Sequence, residues 1–181
     1  HKLNCLKIIK KEAAESIAVG YLHSYVNPAH ELETREILKQ HRPDLDVSIS
    51  SEVAPEIREY ERFSTTVCNA YVQPLMASYL GKIKAGLEGK DIKSPFLLIT
   101  SGGGLTTLET ASKFPIRLVE SGPAGGAILA SKVSSQIGSN ASLSFDMGGT
   151  TAKLCLIDSS EPRISRQFEV NRSYRFKKGS G

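Results

Sequence analysis

The stretch Ser142-Leu143-Ser144-Phe145-Asp146-Met147-Gly148-Gly149-Thr150-Thr151-Ala152-Lys153-Leu154-Cys155-Leu156-Ile157 decides how the chain reads. Residues 142–145 form a strand, residues 146–151 a tight glycine turn, and residues 153–157 a returning strand, so the motif is a β-hairpin and not a strand-to-helix corner. An aspartate at the end of an apolar strand, followed by two glycines and two hydroxyls, presents amides and hydroxyls to a phosphate. The same arrangement offers a carboxylate to the metal of that phosphate or to an attacking water. A plain Gly-Gly turn requires neither the strand-end acid nor the paired threonines.

Two further glycine clusters lie upstream. Residues 96–100 read as a strand running into Ser101-Gly102-Gly103-Gly104, and Thr106-Thr107-Leu108-Glu109 then has the form of a capping box that opens a helix. Residues 117–120 are a short strand candidate, followed by Ser121-Gly122-Pro123-Ala124-Gly125-Gly126, where Pro123 opens a helix closed by Gly138. Glycine lets backbone N–H groups approach an anion, and a helix N-terminus adds partial positive charge. Neither cluster has the P-loop pattern or the G-x-G-x-x-G spacing of a dinucleotide site. Taken singly, 101–104 reads equally as a flexible loop and 121–126 as close helix packing.

The first fifty residues alternate helix, strand, helix, strand. Leu3, Leu6, Ile9 and Ala13 fall at helical spacing, 17–22 is a short buried strand, Asn27-Pro28 starts a helix to about Gln40, and 47–51 is another strand. This alternation predicts helices packed on a sheet. From Pro55 the pattern becomes one long helix ending near Gly86 or Gly89. In it Val67, Tyr71, Leu75, Tyr79 and Ile83 define an apolar face expected to be buried, and Pro74 is expected to kink or split it. Residues 90–95 read as a connection, and 134–144, with five serines, as a loop.

The 181 residues are 40% hydrophobic and 23% charged, a globular composition, and no apolar run is long enough to cross a bilayer. The net charge of +4 is concentrated from Arg163 to the end, where six basic residues face one acid. A polyanion-binding tail is one reading of that bias, but a solvated strand face is the commoner one, and nucleic-acid binding is not expected. Cys5, Cys68 and Cys155 are odd in number and far apart, which excludes a disulfide framework and favours a reducing, cytoplasmic setting. His1, His23, His30 and His41 have no zinc-site spacing, and His23 reads as a strand-end residue.

The hairpin 146–151 resembles a phosphate-binding hairpin of the actin, Hsp70 and sugar-kinase superfamily. A more specific resemblance runs through Leu22-His23-Ser24 with Asn27-Pro28-Ala29-His30-Glu31, and Ser51-Glu52-Val53-Ala54-Pro55-Glu56-Ile57-Arg58-Glu59-Tyr60-Glu61-Arg62. It continues through Ser64-Thr65-Thr66-Val67, Asn69-Ala70-Tyr71-Val72, Ser101-Gly102-Gly103-Gly104 and Glu120-Ser121-Gly122-Pro123-Ala124-Gly125-Gly126. In that order it is similar to the hydantoinase A / 5-oxoprolinase family.

The resemblance implies an α/β fold with actin/Hsp70-like (ribonuclease H-like) layers, a mixed sheet with flanking helices and a C-terminal β-hairpin. It implies residues 1–58 as the end of an N-terminal domain and 59–181 as the beginning of a hydantoinase A domain, an interior slice whose Val67, Tyr71 and Leu75 face meets segments outside the chain. The implied activity is ATP-dependent hydrolysis of cyclic amides, with ATP and Mg²⁺ as cofactors and a hydantoinase B type subunit or domain as partner. Asp146 is the implied catalytic and metal-binding residue. Gly148, Gly149, Thr150 and Thr151 would hold nucleotide phosphate, with Ser101, Gly102, Gly103 and Gly104 as the second set of contacts. Alternatives are the ATP-utilising subunit of a ketone carboxylase and a non-catalytic nucleotide-binding module. Lys153 stands where many relatives have an aspartate, either to contact phosphate or to cover the sheet edge.

Overall fold

A computed structural model describes residue 9 and residues 13–164. The helix expected over 3–13 therefore falls mostly outside the described residues, as do His1, Cys5 and the basic tail beyond Ile164. The architecture is mixed α/β, in two compact units: one up to Ser94 together with Glu109–Ile116, the other comprising Pro95–Leu108 and the residues from Arg117 onward.

In the first unit, β1 (Ser16–Val19) and β2 (Asp46–Ile49) pair in parallel, from Ser16 opposite Asp46 to Val19 opposite Ile49. Parallel neighbours need a crossover, and α1 (Ala29–His41) supplies it. The Asn27 side chain accepts from the Ala29 amide at 3.1 Å, satisfying an N–H that the first helical turn leaves unpaired. Val19, Leu38, Leu45, Val47 and Ile49 form the core, with Ile17, Leu32 and Ile37 packed on it. The strand expected over 17–22 stops at Val19. His23 lies in a turn with φ 55°, and a side chain at Gly20 would put its Cβ 2.5 Å from the Phe63 ring.

After the short α2 (Ser50–Val53), α3 runs from Glu59 to Glu88 and packs on β1 and β2. The helix is not split at Pro74, which leaves the Ala70 carbonyl without its usual helical partner. The face turned inward is not the expected apolar one. Arg62, Thr66, Asn69, Ala70, Gln73 and Leu80 are buried, whereas Val67, Tyr71, Leu75 and Tyr79 are exposed, Tyr71 at 84%. Hydrogen bonding explains the inversion. Asn69 Nδ2 donates to Ser48 Oγ at 2.9 Å and to the Lys113 carbonyl at 3.1 Å, and its Oδ1 accepts from the Ile116 amide at 3.2 Å. Ser48 Oγ in turn donates to Gln73 at 2.8 Å.

A second part of this face is ionic. Glu31, fully buried, accepts from Ser50 Oγ at 2.6 Å and from the amides of Tyr21 and Ser51 at 2.9 and 2.8 Å. Arg62 donates to Ser50 Oγ at 3.1 Å and to the carbonyls of Glu56 and Tyr21 at 2.8 and 3.1 Å. Its guanidinium lies 5.3 and 5.1 Å from the Tyr25 and Phe63 ring centres. Burial alone would raise the Glu31 carboxyl; the hydrogen bonds from Ser50, Ser51 and Tyr21 outweigh it and hold the group below the usual carboxylate range. Glu52 is likewise lowered, its desolvation outweighed by Lys113 and Arg35, at 2.7 and 2.8 Å. Within the motif 51–62, Glu52 and Arg62 thus brace the first unit, while residues 55–58 are exposed.

In the second unit, β3 (Leu97–Ile99) and β4 (Leu105–Thr107) form an antiparallel hairpin. The expected capping box is therefore displaced: Thr106 pairs with Leu98 in the ladder, and α4 (Leu108–Lys113), which from Glu109 belongs to the first unit, starts two residues later. Its β-branched threonines suit the strand. Residues 115–118, Pro-Ile-Arg-Leu, form a 3₁₀ turn where a strand was expected to begin at Arg117. Next, α5 (Ser121–Gln136) precedes β5 (Ala141–Met147), β6 (Ala152–Asp158) and β7 (Glu161–Pro162), which pair antiparallel in that order. The loop expected over 134–144 shrinks to 137–140, because α5 keeps Ser134 and β5 takes residues from Ala141. Among the described residues, parallel and antiparallel pairings occupy three separate small sheets and not one mixed sheet, since the antiparallel pairs close through short turns and only β1 and β2 have a helical crossover.

Candidate functional site

The ladder between β5 and β6 sets the site. Asp146 is opposite Lys153 and Ser144 opposite Cys155, so these four share one face of the pair, and α5 packs on these strands. Alternate residues point the other way, and Leu143, Phe145, Met147, Leu154 and Leu156 are all more than half exposed. The polar positions lie on the other side, Ser144, Lys153 and Cys155 partly covered and Asp146 exposed. Here they line a cavity of about 360 Å³, together with Ser101, Gly102, Gly103 and Glu120.

The loop 101–104 links the two strands of a hairpin; it does not lead into a helix. The Thr100 amide donates to the Gly104 carbonyl at 2.8 Å, the Gly103 amide to the Thr100 carbonyl at 2.9 Å, and the Ser101 amide to the Arg117 carbonyl at 2.8 Å. Gly103 has φ +81°, and a Cβ there would meet Ile128 Cδ1 at 2.9 Å. Glycine takes this left-handed backbone without strain and lets the turn lie against α5 with Ile128 in place. On the opposite wall Glu120 holds φ 65° immediately before α5, and its carboxylate accepts from Lys153 Nζ. The glycines 122, 125 and 126 lie inside α5, whose first turn begins at Ser121 and not at Pro123.

The sequence candidates divide accordingly. Ser101, Gly102, Gly103 and Asp146 come together on the cavity. Gly104 instead closes its own hairpin, accepting from the Thr100 amide and, at 3.2 Å, from Thr100 Oγ1. Gly148, Gly149, Thr150 and Thr151 form the exposed turn just beyond the Asp146–Lys153 and Met147–Ala152 rungs, closed by the Gly148 amide donating to the Thr151 carbonyl at 3.0 Å. Glu120, Ser144 and Cys155 were not singled out from the sequence. Their signal was there: Ser142, Ser144 and Asp146 alternate with Leu143, Phe145 and Met147, a period of two that marks one polar face.

This donor set suits magnesium-complexed phosphate. Asp146 offers the one carboxylate that Mg²⁺ commonly takes from protein, phosphate oxygens and water supplying the rest. The side-chain-free backbone of 102–103 offers a close approach for phosphate. No group of three or more His, Cys, Asp or Glu residues that would hold a metal by itself occurs among the described residues. Nor is any of their helices long and apolar enough to cross a membrane.

The model of the hydantoinase/oxoprolinase family matches residues 62–178, and that of its N-terminal region residues 4–42. The chain belongs to the hydantoinase/oxoprolinase family. It is 42% identical over 178 residues to an uncharacterized protein of Methanocaldococcus jannaschii, covering 97% of this chain and 26% of that one. It is 30% identical over 163 residues to the caprolactamase alpha subunit of Pseudomonas jessenii, covering 90% of this chain and 23% of that one. The nucleotide-free structure of acetone carboxylase, from work on ATP-dependent acetone carboxylation, superposes with a TM-score of 0.77 at 27% identity, over 88% of this chain and 23% of that one. The chain thus spans about a quarter of the length of these hydantoinase/oxoprolinase relatives.

Proposed function

We propose that the chain is the nucleotide-handling part of an ATP-dependent enzyme that opens cyclic amides, on an actin/Hsp70-like fold. Residues 1–58 would end one domain and 59–181 begin the next. The carrying observation is the cavity of the second unit, where Ser101, Gly102, Gly103 and Asp146 line one space. When bound, MgATP supplies the phosphoryl group that turns a resonance-stabilised amide into an activated imidate open to water. The chain's own contribution is positional. Asp146 binds the metal or orients the water, the 101–103 loop contacts phosphate through the Gly102 amide and the Ser101 hydroxyl, the Ser101 and Gly103 amides being bonded to carbonyls, and the turn Gly148, Gly149, Thr150 and Thr151 adds amides and hydroxyls beyond Asp146. The family match and the lactam-opening relative support this reading. A cytoplasmic location and a hydantoinase B type partner belong to it, the caprolactamase relative being itself one subunit of its enzyme.

Titrating the full-length polypeptide with MgATP tests the site. Asp146→Asn and Thr150→Ala should each weaken binding, Asp146→Asn by about tenfold or more, the cost of losing a charged metal contact. Equal binding by wild type and both variants would remove the assignment. A ketone carboxylase is the second reading, favoured by the superposition on acetone carboxylase. Phosphate release that depends on hydantoin or a lactam supports the first reading; release that depends on bicarbonate and a ketone supports the second.

A further inference from the structure

The charges on the cavity do not suit a bare anion. Its described lining carries three carboxylates, Glu120, Asp146 and Glu161, against Lys153 and Arg163. Arg163 pairs with Asp158 at 3.2 Å, with both side chains more than half exposed, so its charge is drawn outward. Lys153 is left as the inner cation among the described lining residues, and Glu120 holds it. The pair is partly shielded, the side chains being 36% and 30% exposed. Glu120 is fixed from behind by its left-handed backbone at the start of α5, and Lys153 is fixed by its ladder position opposite Asp146.

A phosphate entering beside Lys153 must compete with the Glu120 carboxylate for the same ammonium, and it meets Asp146 as a like charge. A phosphate carrying a divalent cation meets neither obstacle, because the cation offsets the two carboxylates while Lys153 turns to a phosphate oxygen. We infer that Glu120 and Lys153 together make this site select metal-complexed polyphosphate over free polyphosphate, with Glu120 as the selecting charge and Lys153 as the phosphate contact. The inference rests on the nucleotide reading of the cavity and resolves the role of Lys153 in favour of the ligand.

The test is calorimetric titration of the full-length protein with inorganic pyrophosphate, once with Mg²⁺ and once with chelator. Wild type should prefer the Mg²⁺ complex. Glu120→Gln should raise affinity for free pyrophosphate about tenfold, the scale of one partly screened charge interaction, and so shrink that preference. Glu120→Asp, which keeps the charge, should retain the wild-type preference. Lys153→Met should weaken both forms. Melting curves beside each titration show that the variants are folded. An unchanged preference in Glu120→Gln, or unchanged binding in Lys153→Met, overturns the inference even where Asp146→Asn still weakens MgATP. A wild-type protein that binds neither pyrophosphate nor MgATP overturns the nucleotide reading itself.

Discussion

The inner face of α3 and the inner face of the β5–β6 pair are both polar, each with an apolar face turned outward, yet their partners differ. On α3, Asn69 bonds Ser48, Lys113 and Ile116, while Arg62 and Glu31 close on Ser50 and on backbone carbonyls and amides. On the β5–β6 pair, Asp146, Ser144 and Cys155 line a cavity beside the Lys153–Glu120 pair. An inward polar face therefore marks function only where the protein leaves its groups room for a ligand. Where the groups satisfy one another, it marks a brace.

The largest effect that separates the two is on stability. Arg62→Met should destabilise the protein by about 3 to 5 kcal/mol in urea unfolding, because it removes the donor to buried Ser50 and to the Glu56 and Tyr21 carbonyls and the ionic partner of Glu59. Asp146→Asn should shift unfolding by no more than about 0.5 kcal/mol, being an exposed position outside any such network. Comparable losses in both would erase the distinction.

Acid sharpens it next. Glu31 and Glu52 are lowered in the folded state, so the stability they contribute is fully present above the ordinary unfolded carboxylate value and is lost as pH falls through their folded values. Urea midpoints measured downward from that value should fall, and Glu31→Gln should flatten the decline while lowering the plateau. A wild-type midpoint unchanged across that window would show that the brace is not ionic.

A smaller change reads the cavity wall. Gly103→Ala should cost about 1 to 2 kcal/mol from its left-handed backbone and its approach to Ile128. Adding Ile128→Val, which removes the crowding Cδ1, should recover part of that loss in the same unfolding assay. No recovery would mean that the strain is wholly in the backbone.

Much of this fold is legible in the sequence. Alternation in the first fifty residues gives β1, α1 and β2, and the glycine turn at 148–149 gives β5 and β6, because local propensity and turn chemistry agree there. Periodicity locates α3 but cannot assign its inner side. Val67, Tyr71 and Leu75 form the more hydrophobic stripe, while the bonds that turn Arg62 and Asn69 inward reach as far as Tyr21, 41 positions away, and Ile116, 47 positions away. Thr106 and Thr107 fit both a cap and a strand, and only pairing with Leu97 and Leu98 decides between them. Of the site, Asp146 and the 101–103 loop were readable as strand-end chemistry. Glu120 was not, since its role depends on Lys153 lying 33 positions away.

The outward apolar stripe of α3 and the outward face of β5 and β6 also govern how a chain of this length behaves at the bench. Such surfaces take up a hydrophobic reporter dye such as anilinonaphthalene sulfonate while tertiary packing is intact. Dye fluorescence from the isolated chain would therefore not by itself signify a molten state, and with no tryptophan to report on packing, amide exchange in β1 and β2 is the sounder gauge of folding.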